Sequence, residues 1–412
     1  GLGDSAHLTI VQQAMIDAGI VQSAYNAPAA ALLLTWLLET NPNPSKNDIK
    51  DCLSGIFIRD AGYEHYYLAV KLALEKMKSG SYQSEIAPSY RPELDIVGKP
   101  CSKIDGPQLV AGEKAFVEDF VTPDTCYMVV LRSPHASAYI NSIDDKEARK
   151  VEGVVEILTA YNTPETHYMQ AGQGNPEPSP HDRRLFNLKV RHVGDRVAAV
   201  IAETLEAAKE ACSKIKVDYE VLPAVFTVEE AMAEGAPLVH NGIVEYKAGA
   251  PADLEDYNKL AGDSREGKVI YQFPLHADIH KNIAASNKGE IGNVDEAFAN
   301  SDAVIDTTYQ TSQIQHTPLE THICFAKMEA GRLVVTASTQ VPYHVRRICG
   351  WVTGLPENKI HVIKTRVGGG YGSKQDILIE DLTGYAAYVT GRPILCHNTR
   401  EEEFIANSTR HP

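Results

Sequence analysis

Closely spaced cysteines are missing from this sequence. Its seven thiols, Cys52, Cys101, Cys126, Cys212, Cys324, Cys349 and Cys396, are never closer than 25 residues apart. That spacing excludes zinc ribbons, Cys-x-x-Cys redox motifs and ferredoxin-type cluster runs. An odd count scattered through apolar contexts reads as reduced, mostly buried thiols of a cytoplasmic protein. A lysine- and arginine-rich block is missing too. With 54 acidic against 39 basic residues the formal charge is −15, which repels phosphate backbones and leaves no expected nucleic-acid partner. Long hydrophobic runs are absent: the most apolar window, 29–38, is about half of the ~20 residues a membrane span needs. The start, Gly1-Leu2-Gly3-Asp4-Ser5, shows neither an initiator Met nor a secretory leader. No Gly-x-Ser-x-Gly elbow or Cys/His nucleophile signature occurs.

What is present fits a folded protein: 412 residues, 43% of them hydrophobic, suggest roughly two to four domains. The first eighty residues read as four helices. Leu8, Val11, Ala14, Met15 and Ala18 recur at helical spacing before Gly19. Pro28 can open a second helix running to Thr40, and Ser45 with Asp48 forms a capping-box start for a third. A fourth spans 62–78. A Ser-, Tyr- and Pro-rich linker follows, and the pattern then turns to mixed α/β. Val197 to Ala202, Leu205 to Lys214 and Ile215 to Val221 read as a β-α-β unit. Further on, Ala303 to Thr311, Leu333 to Ala337 and Ile360 to Thr365 read as strands, with helices at 342–353 and 376–389.

The sharpest local feature is Gly368-Gly369-Gly370-Tyr371-Gly372-Ser373-Lys374, between an expected strand and an expected helix. Glycines admit close approach of backbone to ligand, and amides at a helix start favour anionic or oxo groups. The loop is neither a P-loop, because Ser373 precedes the lysine and Gln375 follows it, nor a dinucleotide fingerprint, because Ser373 replaces the third glycine. A tight turn without a ligand remains the alternative. Gln340, closing Ser338-Thr339-Gln340, can donate its amide to a bound oxygen or satisfy nearby backbone. His316 and His322, with Glu320 between them, invite a metal reading, but i/i+6 spacing across Pro318 favours packing. His135 reads as structural, and Glu401-Glu402-Glu403 as a solvated helix face.

These residues also carry a resemblance to the molybdenum hydroxylases of the xanthine oxidase/aldehyde oxidoreductase family. The helical [2Fe–2S] domain of that family reads Q-C-x-x-C-x-P-G and later S-G-x-x-C-R-C-T-G-Y. Here Gln22-Ser23-Ala24-Tyr25-Asn26-Ala27-Pro28-Ala29 and Ser54-Gly55-Ile56-Phe57-Ile58-Arg59-Asp60-Ala61-Gly62-Tyr63 stand in their place. Ser23, Asn26, Ile58 and Asp60 replace the thiolate ligands, so the resemblance implies a degenerate domain with no [2Fe–2S] cluster. Val97-Gly98-Lys99-Pro100, Leu131 to Ala136, Val193 to Ala198 and Tyr219 to Pro223 resemble its α/β hammerhead domain. The His316–His322 segment, Ser338 to Gln340, the glycine loop and Thr399-Arg400-Glu401-Glu402 resemble the first half of its molybdenum-binding portion.

The fold implied is a multidomain α+β chain: a degenerate helical domain at 1–80, a linker at 81–95 and the hammerhead at 96–230. A connector at 231–269 and the N-terminal half of the molybdenum cofactor-binding region at 270–412 complete it. The implied cofactor is molybdopterin, a molybdenum pyranopterin that also occurs as the cytosine dinucleotide. Its dithiolene holds the metal, so no protein ligand is expected. Gln340 is implied to hydrogen-bond an oxygen on molybdenum, beside the Gly370, Tyr371 and Gly372 backbone. Gln375 falls where purine-oxidising members place a substrate-contacting Glu, and Gln22 matches a pterin-contacting glutamine; Asp60 replaces a cysteine that lies beside the pterin. The sequence resembles the hypoxanthine/xanthine dehydrogenase D subgroup in its cysteine-free Val21-Gln22-Ser23…Arg59-Asp60-Ala61-Gly62 version of the cluster domain and in Gly372-Ser373-Lys374-Gln375-Asp376, which implies a purine or related N-heterocycle as substrate. The second half of the molybdenum portion, with its general-base Glu and substrate-orienting Arg, is implied to come from a second chain. FAD and [2Fe–2S] subunits are further implied partners, and an apolar band is expected where that second half docks. The alternative is a non-catalytic scaffold that docks electron-transfer or cofactor-insertion partners.

Overall fold

The computed structural model describes residues 1–22, 25–56, 61–80, 93–97, 101–172, 174–247, 263–273 and 275–409. They form two units, Gly1–Asp119 and Phe120–Pro412. In the first, α1 (Ile10–Asp17) starts at a Thr9/Gln12 capping box and stops before Gly19, whose φ of 73° needs glycine. Next come α2 (Ala27–Thr40), with Pro28 in its first turn, and α3 (Lys46–Cys52), with the expected Ser45/Asp48 capping box. The long α4 (Tyr63–Ser79) ends on left-handed Gly80, and a short α5 (Gly106–Ala111) packs on α1 and α2. Met15, Leu34, Leu37, Ile49, Val70 and Leu109 are the centre of this apolar core. Most of the expected linker lies outside the described residues.

In the second unit, β1 (Cys126–Arg132), β2 (Ala138–Asp144), β3 (Val154–Thr159), β4 (Lys189–Val190) and β5 (Arg196–Ala202) precede α6 (Leu205–Lys214) and β6 (Lys216–Val221). After α7 (Val228–Met232), β7 (Ile243–Tyr246) and β8 (Lys268–Tyr271) form a small parallel pair. Then come α8 (Val294–Ala299), β9 (Ile323–Glu329), β10 (Arg332–Ala337), α9 (Pro342–Thr353), β11 (Ile360–Lys364), α10 (Glu380–Thr390), β12 (Ile394–His397) and α11 (Arg400–Ala406).

Strands from both ends of this unit merge into one seven-stranded sheet, ordered β11-β10-β9-β12-β1-β5-β3. The seam is β1 paired parallel to β12, with Cys126 opposite Ile394. The core beneath it draws Met128, Ile201, Leu333, Ile348 and Leu382 into one cluster. The expected β-α-β unit is split between sheets. β5 is buried at every position and sits inside the large sheet, whereas half-exposed β6 pairs antiparallel with β2 in a three-stranded one. A strand exposed on one face cannot fill a position covered on both.

The expected strand at 303–311 does not form: the segment has no strand pairing and no helix among the described residues. Its β-rich composition describes a surface that could pair, and Ile305 and Tyr309 remain 86% and 87% exposed. The expected helix at 376–389 starts only at Glu380, after a 3₁₀ turn over Ser373–Gln375.

Candidate functional site

β10 and β11 run parallel in register, Ala337 opposite Lys364, so their C-terminal ends open on the same side of the sheet. Open α/β sheets place ligands at such ends. From β10 the chain continues through Ser338 and Thr339 to Gln340, before Pro342 starts α9. From β11 it continues into the glycine loop. The two segments are tied by the Gln340 N–H, which donates to the Lys374 carbonyl at 2.8 Å.

The loop needs its glycines. A Cβ on Gly370 would fall 3.1 Å from Gln340 Cδ and closer still to Oε1, so the Gln340 amide is seated directly on the Gly370 backbone. Gly369 and Gly372 have φ of 102° and 104°, and between them Tyr371 adopts 55°, a conformation a non-glycine residue rarely holds. Among the described residues, the Gly370, Tyr371 and Gly372 N–H groups have no acceptor within the protein. Successive free amides around left-handed residues form a concave donor set for an anionic or oxo group. Gln375 and His316 flank Gly372, with Gln375 Oε1 and His316 Nε2 at 4.0 and 3.5 Å from where its Cβ would stand. Of Gln22, Gln340, Gly370, Tyr371, Gly372 and Gln375, the residues implied to contact cofactor or substrate, all but Gln22 are thus gathered at one loop. Gln22 belongs to the N-terminal unit, where it is exposed and its amide donates to the Gly19 carbonyl at 2.8 Å.

Behind the loop lies a polar layer whose pairings join residues far apart in the sequence. Lys374 is fully buried and its ammonium donates to Glu320 Oε1 at 2.6 Å, the Glu320 carbonyl at 3.0 Å and Ser338 Oγ at 2.9 Å. Burial pulls the Lys374 pKa down, opposed by the Glu320 carboxylate. His322 faces Glu403 through Nδ1 at 2.9 and 3.1 Å, and its Nε2 lies 3.2 Å from the Ser373 carbonyl. Burial alone would raise the Glu403 carboxyl; the hydrogen bonds and charge of His322 outweigh it and hold it at about 2. The solvated-face reading of the glutamate run therefore fails at Glu403, which is completely buried, while Glu402 pairs with Arg132 at 3.1 Å. His316 and His322 do not converge on a metal, and among the described residues no group of three His, Cys, Asp or Glu is placed to hold one. His135 packs edge-on against Tyr219.

Of the positions aligned with cluster ligands, Ser23, Ile58 and Asp60 lie outside the described residues. Asn26 is buried and donates from Nδ2 to the Tyr66 hydroxyl at 2.8 Å.

Comparison with known proteins agrees with this geometry. The molybdopterin cofactor-binding domain matches residues 275–412, so it contains Gln340 and the glycine loop. The aldehyde oxidase and xanthine dehydrogenase a/b hammerhead domain matches 111–223. A [2Fe-2S] binding domain matches 1–71, so an iron–sulfur-type domain is present in the chain, whatever its ligand positions hold. "Probable hypoxanthine oxidase XdhD" of Escherichia coli (strain K12) is 50% identical over 410 residues, 100% of this chain and 43% of that protein. The xanthine dehydrogenase molybdenum-binding subunit of Escherichia coli O157:H7 is 32% identical over 315 residues, 75% of this chain and 37% of that one. The chain thus spans less than half the length of these relatives. Aldehyde oxidoreductase from Desulfovibrio gigas shares the fold at a TM-score of 0.73, with 22% identity over 99% of this chain and 42% of that one. With three domains matched in family order and the donor loop inside the third, the chain belongs to the xanthine oxidase/aldehyde oxidoreductase family of molybdenum hydroxylases.

Proposed function

We propose that this chain supplies the oxo-facing side of a molybdenum hydroxylase that acts on a purine or related N-heterocycle. The observation that carries the reading is the Gln340 amide seated on Gly370 beside three backbone N–H groups that have no acceptor among the described residues. Such a donor set suits the oxygen side of a molybdenum pyranopterin, taken as such or as its cytosine dinucleotide. The cofactor supplies two-electron redox chemistry at its metal. Gln340, Tyr371 and Gly372 hold and orient it, Gly370 provides the space, and Gln22 is proposed as a pterin contact. Gln375, at the edge of the loop, is the proposed substrate-selecting residue: its carboxamide can both donate to and accept from a heterocycle edge. The relative named as a hypoxanthine oxidase supports the purine assignment.

The proposal includes completion by a further polypeptide stretch carrying the general-base Glu and the substrate-orienting Arg. Both relatives are more than twice as long as the part matched here. Exposed Ile291, Phe298, Ile305, Tyr309 and Leu319 fit surface that this stretch would cover. The division into residues 1–80, 96–230 and 270–412, the FAD and [2Fe–2S] subunits as electron partners, and a cytoplasmic location belong to the same reading. The expectation of a chain without an iron–sulfur function is set against the match of residues 1–71 to a [2Fe-2S] binding domain. The unit that contains this domain has two cysteines, Cys52 and Cys101. The test is turnover of hypoxanthine with an artificial electron acceptor. The natively purified protein, with the stretch that completes it, is expected to oxidise it and residues 1–412 alone are not. Turnover by 1–412 alone would overturn the completion claim, and none by the native protein on any purine or N-heterocycle would overturn the substrate class.

A further inference from the structure

The residues offered to a ligand are on the surface of the loop, but what fixes them there is one carboxylate behind it. Glu320 sits in the segment before β9, 18 residues ahead of Ser338 and 54 ahead of Lys374. Its Oε1 accepts from three directions: the Gly368 N–H at 3.2 Å, the Ser338 hydroxyl, and the Lys374 ammonium at 2.6 Å. Its own N–H donates to the Gly368 carbonyl at 3.1 Å. Gly368 opens the loop, Lys374 closes it, and Ser338 stands two residues before Gln340. One oxygen atom therefore sets the separation between both ends of the loop and the strand end that carries Gln340.

The lysine completes the arrangement from the other side. All three of its donors are used, on Glu320 Oε1, the Glu320 carbonyl and Ser338 Oγ, while its own carbonyl accepts the Gln340 N–H at 2.8 Å. Apolar side chains of similar volume could fill the same space, and buried ion pairs are often replaced so without loss of stability. What apolar packing cannot do is accept the Gly368 N–H and the Ser338 O–H. We infer that Glu320 is the positioning residue of the site: by accepting from Gly368, Ser338 and Lys374 together, it sets the placement of Gln340 against the Gly370–Gly372 amides. The inference rests on the reading that this face meets the molybdenum cofactor, because only then does that placement matter for chemistry. It assigns Glu320 no contact with the cofactor or the substrate.

Two double variants in the natively purified protein separate positioning from bulk stability. E320Q/K374M removes the charges but keeps an acceptor at Oε1; E320L/K374M removes both. Amide hydrogen exchange over residues 366–376 and the molybdenum K-edge absorption spectrum are recorded for each, alongside thermal unfolding. The expected result is loop exchange within about twofold of the unsubstituted protein for E320Q/K374M and at least about tenfold faster for E320L/K374M. Exchange in β9 to β11 and the unfolding midpoint should match between the two variants, and only E320L/K374M should alter the metal's oxygen environment. Equal loop exchange in the two variants overturns the inference. If the unsubstituted protein holds no molybdenum, the functional reading fails instead, and the exchange comparison still decides whether Glu320 fixes the loop.

Discussion

His322 and Glu403, 81 residues apart, are locked face to face in the interior, with Nδ1 at 2.9 and 3.1 Å from the two carboxylate oxygens. The Glu403 carboxylate also accepts the His322 backbone N–H at 2.7 Å and the Asn407 amide at 2.9 Å. Through Nε2 the same imidazole reaches the Ser373 carbonyl, so α11 braces the turn that follows the glycine loop. Glu403→Ala leaves these donors buried without an acceptor and should cost roughly 3 kcal/mol. Urea unfolding of the two proteins measures it, and a loss below about 0.5 kcal/mol would show that the contact is not a brace.

Acid should unfold the protein partly through this residue. The Glu403 carboxyl is held at about 2 against an ordinary 4.5, and Asp381, bonded to Arg196, is held well below its ordinary 3.8. For Asp381 burial alone would act in the opposite direction, and Arg196 overrides it. Groups depressed on folding stabilise fully above their unfolded pKa and lose that contribution as pH falls through the folded one. Stability should therefore fall from about pH 4.5 toward pH 2, more shallowly in Glu403→Gln. Equal slopes in a pH series of unfolding midpoints would contradict the assignment.

Arg196 and Asp381 join β5 to α10 with contacts of 2.8 and 2.9 Å, and the Tyr168 hydroxyl donates to the same carboxylate at 2.5 Å. Arg196→Met strands a completely buried carboxylate and should destabilise by about 3–5 kcal/mol. Arg196→Met with Asp381→Leu should recover most of that loss, a double-mutant cycle read by urea unfolding.

Gly370→Ala tests the seat of Gln340. The backbone at 370 is not in the left-handed region, so the added methyl is resisted by the Gln340 amide rather than by backbone strain. The variant should stay within about 1 kcal/mol of the parent in stability while losing at least about tenfold in turnover. Gly331→Ala is the control: its φ is 72° and no atom lies near its Cβ, so it should cost about 1 kcal/mol and leave turnover alone.

Much of this was legible in the sequence where the signal is local. The Ser45/Asp48 capping box, Pro28 in the first turn of α2 and the buried run of β5 each depend on neighbours a few residues away, and each formed as read. The strand at 303–311 did not, because β-branched and aromatic residues show a capacity to pair without naming a partner. Glu403 was misread for a related reason. Three successive glutamates on a helix point in three directions, and nothing nearby reveals that the third meets His322. The glycine loop was visible as a motif, but its Glu320–Lys374 support spans 54 residues and exists only once β10 and β11 are side by side.

The central claim is that Gln340 and the glycine loop belong to a molybdenum site, and metal content tests it most directly. Elemental analysis of the natively purified protein, with the polypeptide that completes it, should find about one molybdenum per copy of this chain. Protein prepared from molybdenum-replete cells without reductive or chelating steps and still free of the metal would contradict the account, and would favour the scaffold reading.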